Sequence, residues 1–316
     1  MIALLKKKSF GIFQIFLGIF SFYIFIDYYW FKIYLDLMSS LSSIENTIQY
    51  FLIFLVLKGF NYIFKSLHTE KIYKSFLIKI SAKNWFALSI AQGLVSNFMP
   101  LNIGSVLKMV YLKIRFKLKF INFGKIEILS FIIFYYIYFC FLVAGIIGKV
   151  SLNNHYATLL ILILTISLFP VIQNLTIYIL RLKNYPTFNF QSYGYGILNN
   201  MFYFLIIYFI SIVIFNHEAS PQSILIYTSA IQLTMIINLT PANIGLREWF
   251  MALVAPLVGL SQNEGALISI IDRTFSILFL LVFYPYSFKT LFSDKNIRIS
   301  TVLKRYKLDK ESRSKK

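Results

Sequence analysis

Four charged residues stand inside apolar sequence near the end of the chain, and their types suit the binding of an anion. Arg247 and Glu248 are adjacent, and Asp272 and Arg273 are adjacent in a later apolar stretch. A charge at the centre of a bilayer costs about 2.5–3.5 kcal/mol on insertion scales, so such residues are typically paired or functional. Two interpretations stand side by side. The arginines contact a phosphate, or the pairs Arg247–Asp272 and Glu248–Arg273 fix one helix to another.

A short motif precedes the first of these pairs and occurs twice. Residues 97–104 read NFMPLNIG, and residues 238–245 read NLTPANIG. Proline removes an amide donor, glycine tolerates positive φ and asparagine caps freed backbone groups, so each copy predicts a break between helices, although either copy alone fits a plain turn. A helix that starts after the glycine points its positive dipole end at the break, where a phosphate fits. The candidate residues are Asn97, Pro100, Asn102, Gly104, Asn238, Pro241, Asn243 and Gly245.

Two further charges lie close to the first copy of the motif. Lys108 follows Gly104 by one helical turn, and Glu127 lies near the start of a later apolar stretch. Lys108 either reaches a headgroup or is an ordinary cytoplasmic lysine, and Glu127 either joins the site or lies at the interface beside Lys125. Without an evident intramembrane pair, the first copy is expected to be a gate or scaffold rather than the chemical equal of the second.

Neither a metal, nor a cofactor, nor a catalytic constellation is expected. Cys140 is the only cysteine, which excludes a disulfide or a thiolate metal site within one chain. The three histidines are far apart and fall in predicted loops: His68, His155 and His217. Lys58 and Asp27 lie near predicted span ends, where long charged side chains reach the interface.

The composition places these residues in a membrane. Of 316 residues, 58% are hydrophobic and only 14% are charged, which is too few to cover the surface of a soluble domain. The net charge of +19 comes from basic clusters beside the apolar stretches. That placement is typical of cytoplasmic loops and of contact with anionic lipid headgroups, and it argues against nucleic acid as a partner. The first apolar stretch is too long for a signal peptide and is interpreted as a retained span.

The apolar stretches and the basic loops together predict the topology. Loops 65–83 and 108–125 are both basic, so segment 84–107 enters and leaves from the cytoplasm, while segment 223–260 does so from outside. The prediction is an all-α polytopic membrane protein with six full spans plus two re-entrant or short-span helical hairpins in an inverted-topology repeat. The six full spans are expected at 10–31, 44–64, 126–147, 156–180, 196–216 and 265–290.

These elements form one transmembrane domain, 1–290. Repeat one covers about 10–147 and repeat two about 156–290, each with one motif-bearing hairpin. Residues 291–316 form a basic tail, and both termini are expected in the cytoplasm of a plasma-membrane protein. The second hairpin is long, so its arms are either re-entrant or nearly complete crossings.

At these residues the chain resembles the lysylphosphatidylglycerol synthase transmembrane, or flippase-like, family. The resemblance covers about 10–290 and is carried by Pro100 to Gly104, by Thr240 to Glu248, and by Asp272 with Arg273. It implies translocation of a lipid with a charged headgroup between leaflets. Relatives that make the modified lipid carry a soluble aminoacyl-transferase domain, for which the tail after the last span is too short, so synthase activity is not expected.

The resulting hypothesis is a flippase-like translocator of an anionic or headgroup-modified lipid. Arg247 and Arg273 would contact the phosphate, with Glu248 and Asp272 either organising them or sensing a cationic headgroup or a proton. One alternative is a multispan enzyme on lipid-linked substrates, for which Asp36 and Glu45 are available acids without a supporting constellation. The other is a non-catalytic membrane partner of a separate lipid-modifying enzyme, which the basic tail would dock.

Overall fold

The described part of the chain consists almost entirely of helices joined by short connections. The computed structural model describes residues 47–76, 78–98, 103–150, 155–180, 190–214, 220–236, 243 and 245–292, and it contains no strand in them. The helices, numbered here in chain order, are α1 Thr47–Ser75, α2 Ala82–Phe98, α3 Ile103–Phe116, α4 Phe120–Val150, α5 His155–Ser167, α6 Phe169–Ile179, α7 Phe190–Phe209, α8 Pro221–Thr234, α9 Leu246–Val254 and α10 Gln262–Phe292. A π-helical turn, Ile210–Ile214, continues α7, and a 3-10 turn, Ala255–Val258, continues α9.

Five helical segments are long and apolar enough to cross a membrane, which is the pattern of a multi-pass membrane protein. They are Gln49–Ser75, Phe120–Val150, Tyr156–Ile179, Phe190–Ile212 and Gln262–Leu291. Each overlaps one of the six predicted full spans, although the bounds differ, most for Gln49–Ser75 against the predicted 44–64. The remaining predicted span, 10–31, lies outside the described residues. The segment Tyr156–Ile179 is interrupted at Leu168, just before Pro170, where α5 gives way to α6.

Two predicted loops are shorter than expected. Helix α1 continues to Ser75, so the first half of the predicted loop 65–83 is helical. Helix α3 continues to Phe116, so residues 108–116 of the predicted loop 108–125 are helical too. The lysines in these stretches indicated loops only on the assumption that a helix ends where the bilayer does. Basic residues are tolerated on a helix that continues past the apolar core.

Each motif copy separates two short helices. In the first copy, α2 ends at Phe98 and α3 begins at Ile103; in the second, α8 ends at Thr234 and α9 begins at Leu246. At about 1.5 Å per residue these four arms measure roughly 14–26 Å, less than the ~30 Å hydrocarbon core. Each of these four helices is thus shorter than the hydrocarbon core is thick, and the helix ends fall at the two motif copies, where the sequence predicts breaks.

The packing pairs the two halves of the chain in a reciprocal way. Helix α1 packs most extensively along α7, α2 packs along α10, and α8 packs along α4. Thus the first arm of each hairpin lies against the last span of the other half. Glycines mark both contacts: a Cβ on Gly93 of α2 would meet Leu280 of α10 at 3.1 Å, and one on Gly145 of α4 would meet Ile226 of α8 at 2.8 Å.

Gly104 lets the two arms of the first hairpin approach closely. A Cβ at this position would collide with the carbonyl of Gln92 and with Ser96 on α2. Gly124 of α4, in contrast, has open space where its Cβ would be. Glycine at 104 is therefore required by packing, whereas glycine at 124 is not.

We expect Gly104→Ala to lower the thermal unfolding midpoint in detergent, because overpacking of this kind typically costs about 1–3 kcal/mol. Gly124→Ala is the matched control and should leave the midpoint unchanged or raise it, since alanine favours helix over glycine by about 1 kcal/mol. Equal midpoints for the two variants would contradict the close approach of α2 and α3.

Candidate functional site

The tip of the second hairpin is organised by two residues of the motif. Asn243 has a positive φ of 55°, and its Nδ2 donates to the carbonyl of Thr234, 3.1 Å away at the end of α8. Gly245 has a φ of 82°, a conformation that favours glycine, and α9 begins directly after it. Asparagine thus caps one helix and glycine starts the next, as the sequence predicts; Asn238 and Pro241 lie outside the described residues.

Asp272 of α10 is the centre of a buried network. Its Oδ1 lies 2.6 Å from Nζ of Lys58 on α1, and its Oδ2 lies 2.6 Å from Nη2 of Arg247 on α9. The Tyr203 hydroxyl on α7 donates to Oδ2 at 2.8 Å and accepts from Arg247 at 3.3 Å. All four side chains are buried. One carboxylate therefore joins four helices.

A second ion pair lies beside it. Glu248 Oε1 is 2.9 Å from Nη2 of Arg273, while its Oε2 accepts from the backbone amide of Gly245 at 2.8 Å. The first contact satisfies the distance for an ion pair, but the atoms are not aligned as a hydrogen bond. Both pairs anticipated from the sequence are present: Arg247 with Asp272, and Glu248 with Arg273.

The Asp272 network, defined as Lys58, Arg247, Glu248, Asp272 and Arg273, carries one more cation than it has carboxylates. In addition, Arg247 Nε is a buried donor without a hydrogen-bond acceptor in the described part of the chain, and Arg273 Nη2 is held only by its ion pair with Glu248. Buried guanidinium donors are normally satisfied. A surplus positive charge with an unused guanidinium N–H can bind an anion, and phosphate suits a guanidinium geometrically.

The first hairpin carries a corresponding contact. Lys108 of α3 is buried, and its Nζ lies 2.6 Å from Oε1 of Glu127 on α4. The Tyr73 hydroxyl of α1 donates to the same oxygen at 2.5 Å, and Nζ also lies 4.9 Å from the centroid of the Tyr73 ring and 5.5 Å from that of Trp85. We call Lys108, Glu127, Tyr73 and Trp85 the Glu127 network.

This contact corrects one expectation from the sequence. The first motif copy was expected to lack an intramembrane pair, but Lys108 and Glu127 join the hairpin to the next span as Arg247 and Asp272 do. Lys125 next to Glu127 suggested an interfacial residue and concealed this pairing. The Glu127 side chain is 25% exposed against 2% for Asp272, so the first network is the more open.

The remaining residues of the first motif have local roles where they are described. Asn97 donates from Nδ2 to the Gly93 carbonyl one turn earlier, at 2.9 Å. Gln92 donates to Ser105 at 3.3 Å across the hairpin, close to Gly104. Pro100 and Asn102 lie outside the described residues.

Lys58, Tyr203 and His68 were not predicted as site residues. Lys58 was expected to reach the interface, yet it is 3% exposed and bound to Asp272, because α1 extends well beyond the predicted span end at residue 64. His68 was expected in a loop but is buried in α1, where Nδ1 lies 2.7 Å from the Ser192 carbonyl. The signal for Lys58 was its apolar surroundings on both sides in the sequence.

Within the part of the chain that the structure describes, no group of three His, Cys, Asp or Glu side chains is placed to hold a metal ion. Cys140 is buried in α4. The two networks contain cations, carboxylates and aromatic hydroxyls, a composition suited to holding an anionic group through hydrogen bonds and charge.

Comparisons with known families, curated proteins and solved structures find no match to this chain. The resemblance to the flippase-like family therefore remains a prediction, carried by the motif residues alone.

The sharing of Asp272 can be tested through stability. Asp272→Asn should lower stability by about 3–5 kcal/mol, because it leaves Lys58 and Arg247 buried without a carboxylate. Lys58→Met should cost less, since Arg247 still neutralises Asp272. The measurement is thermal unfolding in detergent, with Glu70→Gln on α1 as the control. A larger effect of Lys58→Met would show that Asp272 is not the centre.

The Lys108–Glu127 pair can be tested by a double-mutant cycle. Lys108→Met and Glu127→Gln should each destabilise the protein, and the double variant should cost less than the sum, because removing both charges leaves neither unpaired. Lys108→Met combined with Glu264→Gln, at the start of α10, should be additive. Additivity in both cycles would contradict the ion pair.

Proposed function

We propose that this chain translocates a lipid with an anionic headgroup, such as a phospholipid or a polyprenyl phosphate, across the plasma membrane. The observation that carries the proposal is the Asp272 network. In it two arginines, one with an unused N–H donor, and a surplus positive charge lie beside the break between α8 and α9. Non-helical backbone at membrane depth is tolerated where protein or a water-lined cavity surrounds it.

The packing supports an inverted-repeat transporter architecture. The reciprocal contacts of α2 with α10 and of α8 with α4 are those expected when two related units face each other. Each unit also has an ion pair that joins its hairpin to its last span, Lys108–Glu127 in one and Arg247–Asp272 in the other. In the proposed topology both hairpins are re-entrant, from opposite sides, and both termini are cytoplasmic.

The proposed mechanism assigns different roles to the charges of the Asp272 network. Arg273 is paired by distance alone and its side chain is 11% exposed, so it contacts the lipid phosphate first. Arg247 then offers its free Nε. Asp272 and Glu248 hold the two arginines in place when no lipid is bound. Relative rocking of the two units would change the side from which the site is reached.

The proposal predicts transport of anionic lipid by the purified protein in liposomes. Fluorescent phosphatidylglycerol should exchange between leaflets faster than in protein-free liposomes, and Arg273→Gln should slow it at least about tenfold, the loss of one charge-assisted hydrogen bond. Lys289→Gln, an exposed cation near the end of the same helix, is the matched control and should leave the rate unchanged. The readout is quenching of outer-leaflet fluorescence over time.

Two outcomes would count against the proposal in different ways. If the wild-type protein gives no exchange above protein-free liposomes, translocation is wrong. If Arg247→Ala and Arg273→Ala both fold, as judged by a monodisperse elution profile, and still transport at the wild-type rate, the site assignment is wrong while translocation stands.

A further inference from the structure

One face of α1 carries a polar stripe that joins the two networks. Lys58, Tyr62, Lys65, Thr69 and Tyr73 recur at intervals of three and four residues, so they lie on the same side of the helix. Lys58 contacts Asp272, and Tyr73 contacts Glu127. At about 1.5 Å per residue, Lys65 lies roughly 10 Å along the axis from Lys58 and roughly 12 Å from Tyr73. A lysine thus stands midway between the networks.

Lys65 differs from the cations of the two networks in lacking a carboxylate partner among the described residues. Its side chain is exposed, and its Nζ lies 5.7 Å from the centroid of the Tyr62 ring. No ion pair joins it to a carboxylate of the described residues. Its charge interacts electrostatically with those of Lys58 and Lys108 and with that of Glu127. Two of these three neighbours repel it, so an anion beside Lys65 would be stabilised.

The position of Lys65 in α1 adds to this imbalance of charge. It is four residues past Asn61, the middle residue of α1, and ten helical residues follow it, so its place between the two networks is set by regular helix. Together with the two networks, Lys65 makes a set of five cations and three carboxylates: Lys58, Lys65, Lys108, Arg247 and Arg273 with Glu127, Glu248 and Asp272.

We propose that Lys65 binds the phosphate of an anionic lipid at a position between the Asp272 network and the Glu127 network. The exposed ammonium is the hydrogen-bond donor, and the flanking cations of both networks add to the attraction. The polar stripe then gives a headgroup successive contacts across α1, from Lys58 past Lys65 to Tyr73. The inference rests on the proposed function in taking an anionic lipid as its ligand, but it concerns binding and holds without movement of that lipid.

The test measures lipid retention at equilibrium. Purified protein in detergent is titrated with phosphatidylglycerol, phosphatidylcholine or inorganic phosphate, and bound ligand is counted by native mass spectrometry. Lys65→Gln should weaken phosphatidylglycerol binding about tenfold, while Lys65→Arg should preserve it. Lys83→Gln is the matched control. Lys83, at the start of α2, is also exposed, and its Nζ lies 5.8 Å from the centroid of the Tyr286 ring on α10. Phosphatidylcholine should depend less on Lys65.

The outcomes separate this inference from the proposed function. Equal phosphatidylglycerol binding by Lys65→Gln and Lys83→Gln overturns the inference, even if transport depends on Arg273. If Lys65→Gln weakens the binding of inorganic phosphate but not that of phosphatidylglycerol, the ligand of Lys65 is not a lipid. Conversely, if the wild-type protein binds phosphatidylglycerol through Lys65 and yet transports no lipid, that result supports the inference and contradicts the proposed function.

Discussion

The structure depends on one constraint: charges buried among apolar helices must be neutralised by other helices. Each motif-bearing hairpin meets this constraint by an ion pair with the span that follows it, and those pairs set how hairpin and span lie against each other. At the second tip the Asn243 side chain donates to the Thr234 carbonyl, and the Glu248 carboxylate accepts from the Gly245 amide, so side chains satisfy backbone groups that the break leaves unpaired. Because the ion pairs and the hairpin tips are both fixed, the helices that pack around them have few alternative arrangements.

Much of this arrangement could be predicted from the sequence. The repeated motif predicted where helices break, and Arg247, Glu248, Asp272 and Arg273 were recognisable because apolar sequence surrounds them. Their pairing followed from the cost of isolated charges. What the sequence could not predict depends on contacts between helices that are distant in the chain. The end of α1 could not be placed because its lysines are equally compatible with a loop or with a helix that extends past the membrane.

The two motif copies are more alike than their sequences indicate. Both use a cation shortly after the glycine and a carboxylate on the next span, although the cation is lysine in one and arginine in the other. The two networks differ in the burial of the carboxylate and in the number of cations that it neutralises. Glu127 is partly open and accepts from a tyrosine and a lysine, whereas Asp272 is closed and neutralises two cations. The same arrangement thus yields one network with a partly exposed carboxylate and one with a buried carboxylate.

The bond between Lys58 and Asp272 has a consequence for kinetics. Four ion pairs join described residues: one lies within the first proposed repeat, two lie within the second, and only this one joins the first repeat to the second. In the proposed transport cycle, movement of the repeats as rigid bodies would leave the other three intact and strain this one. Its strength would then contribute to the activation barrier for that movement and so to the lifetime of each state. The Lys58–Asp272 pair would in this way influence the rate of the cycle as well as the stability of the fold.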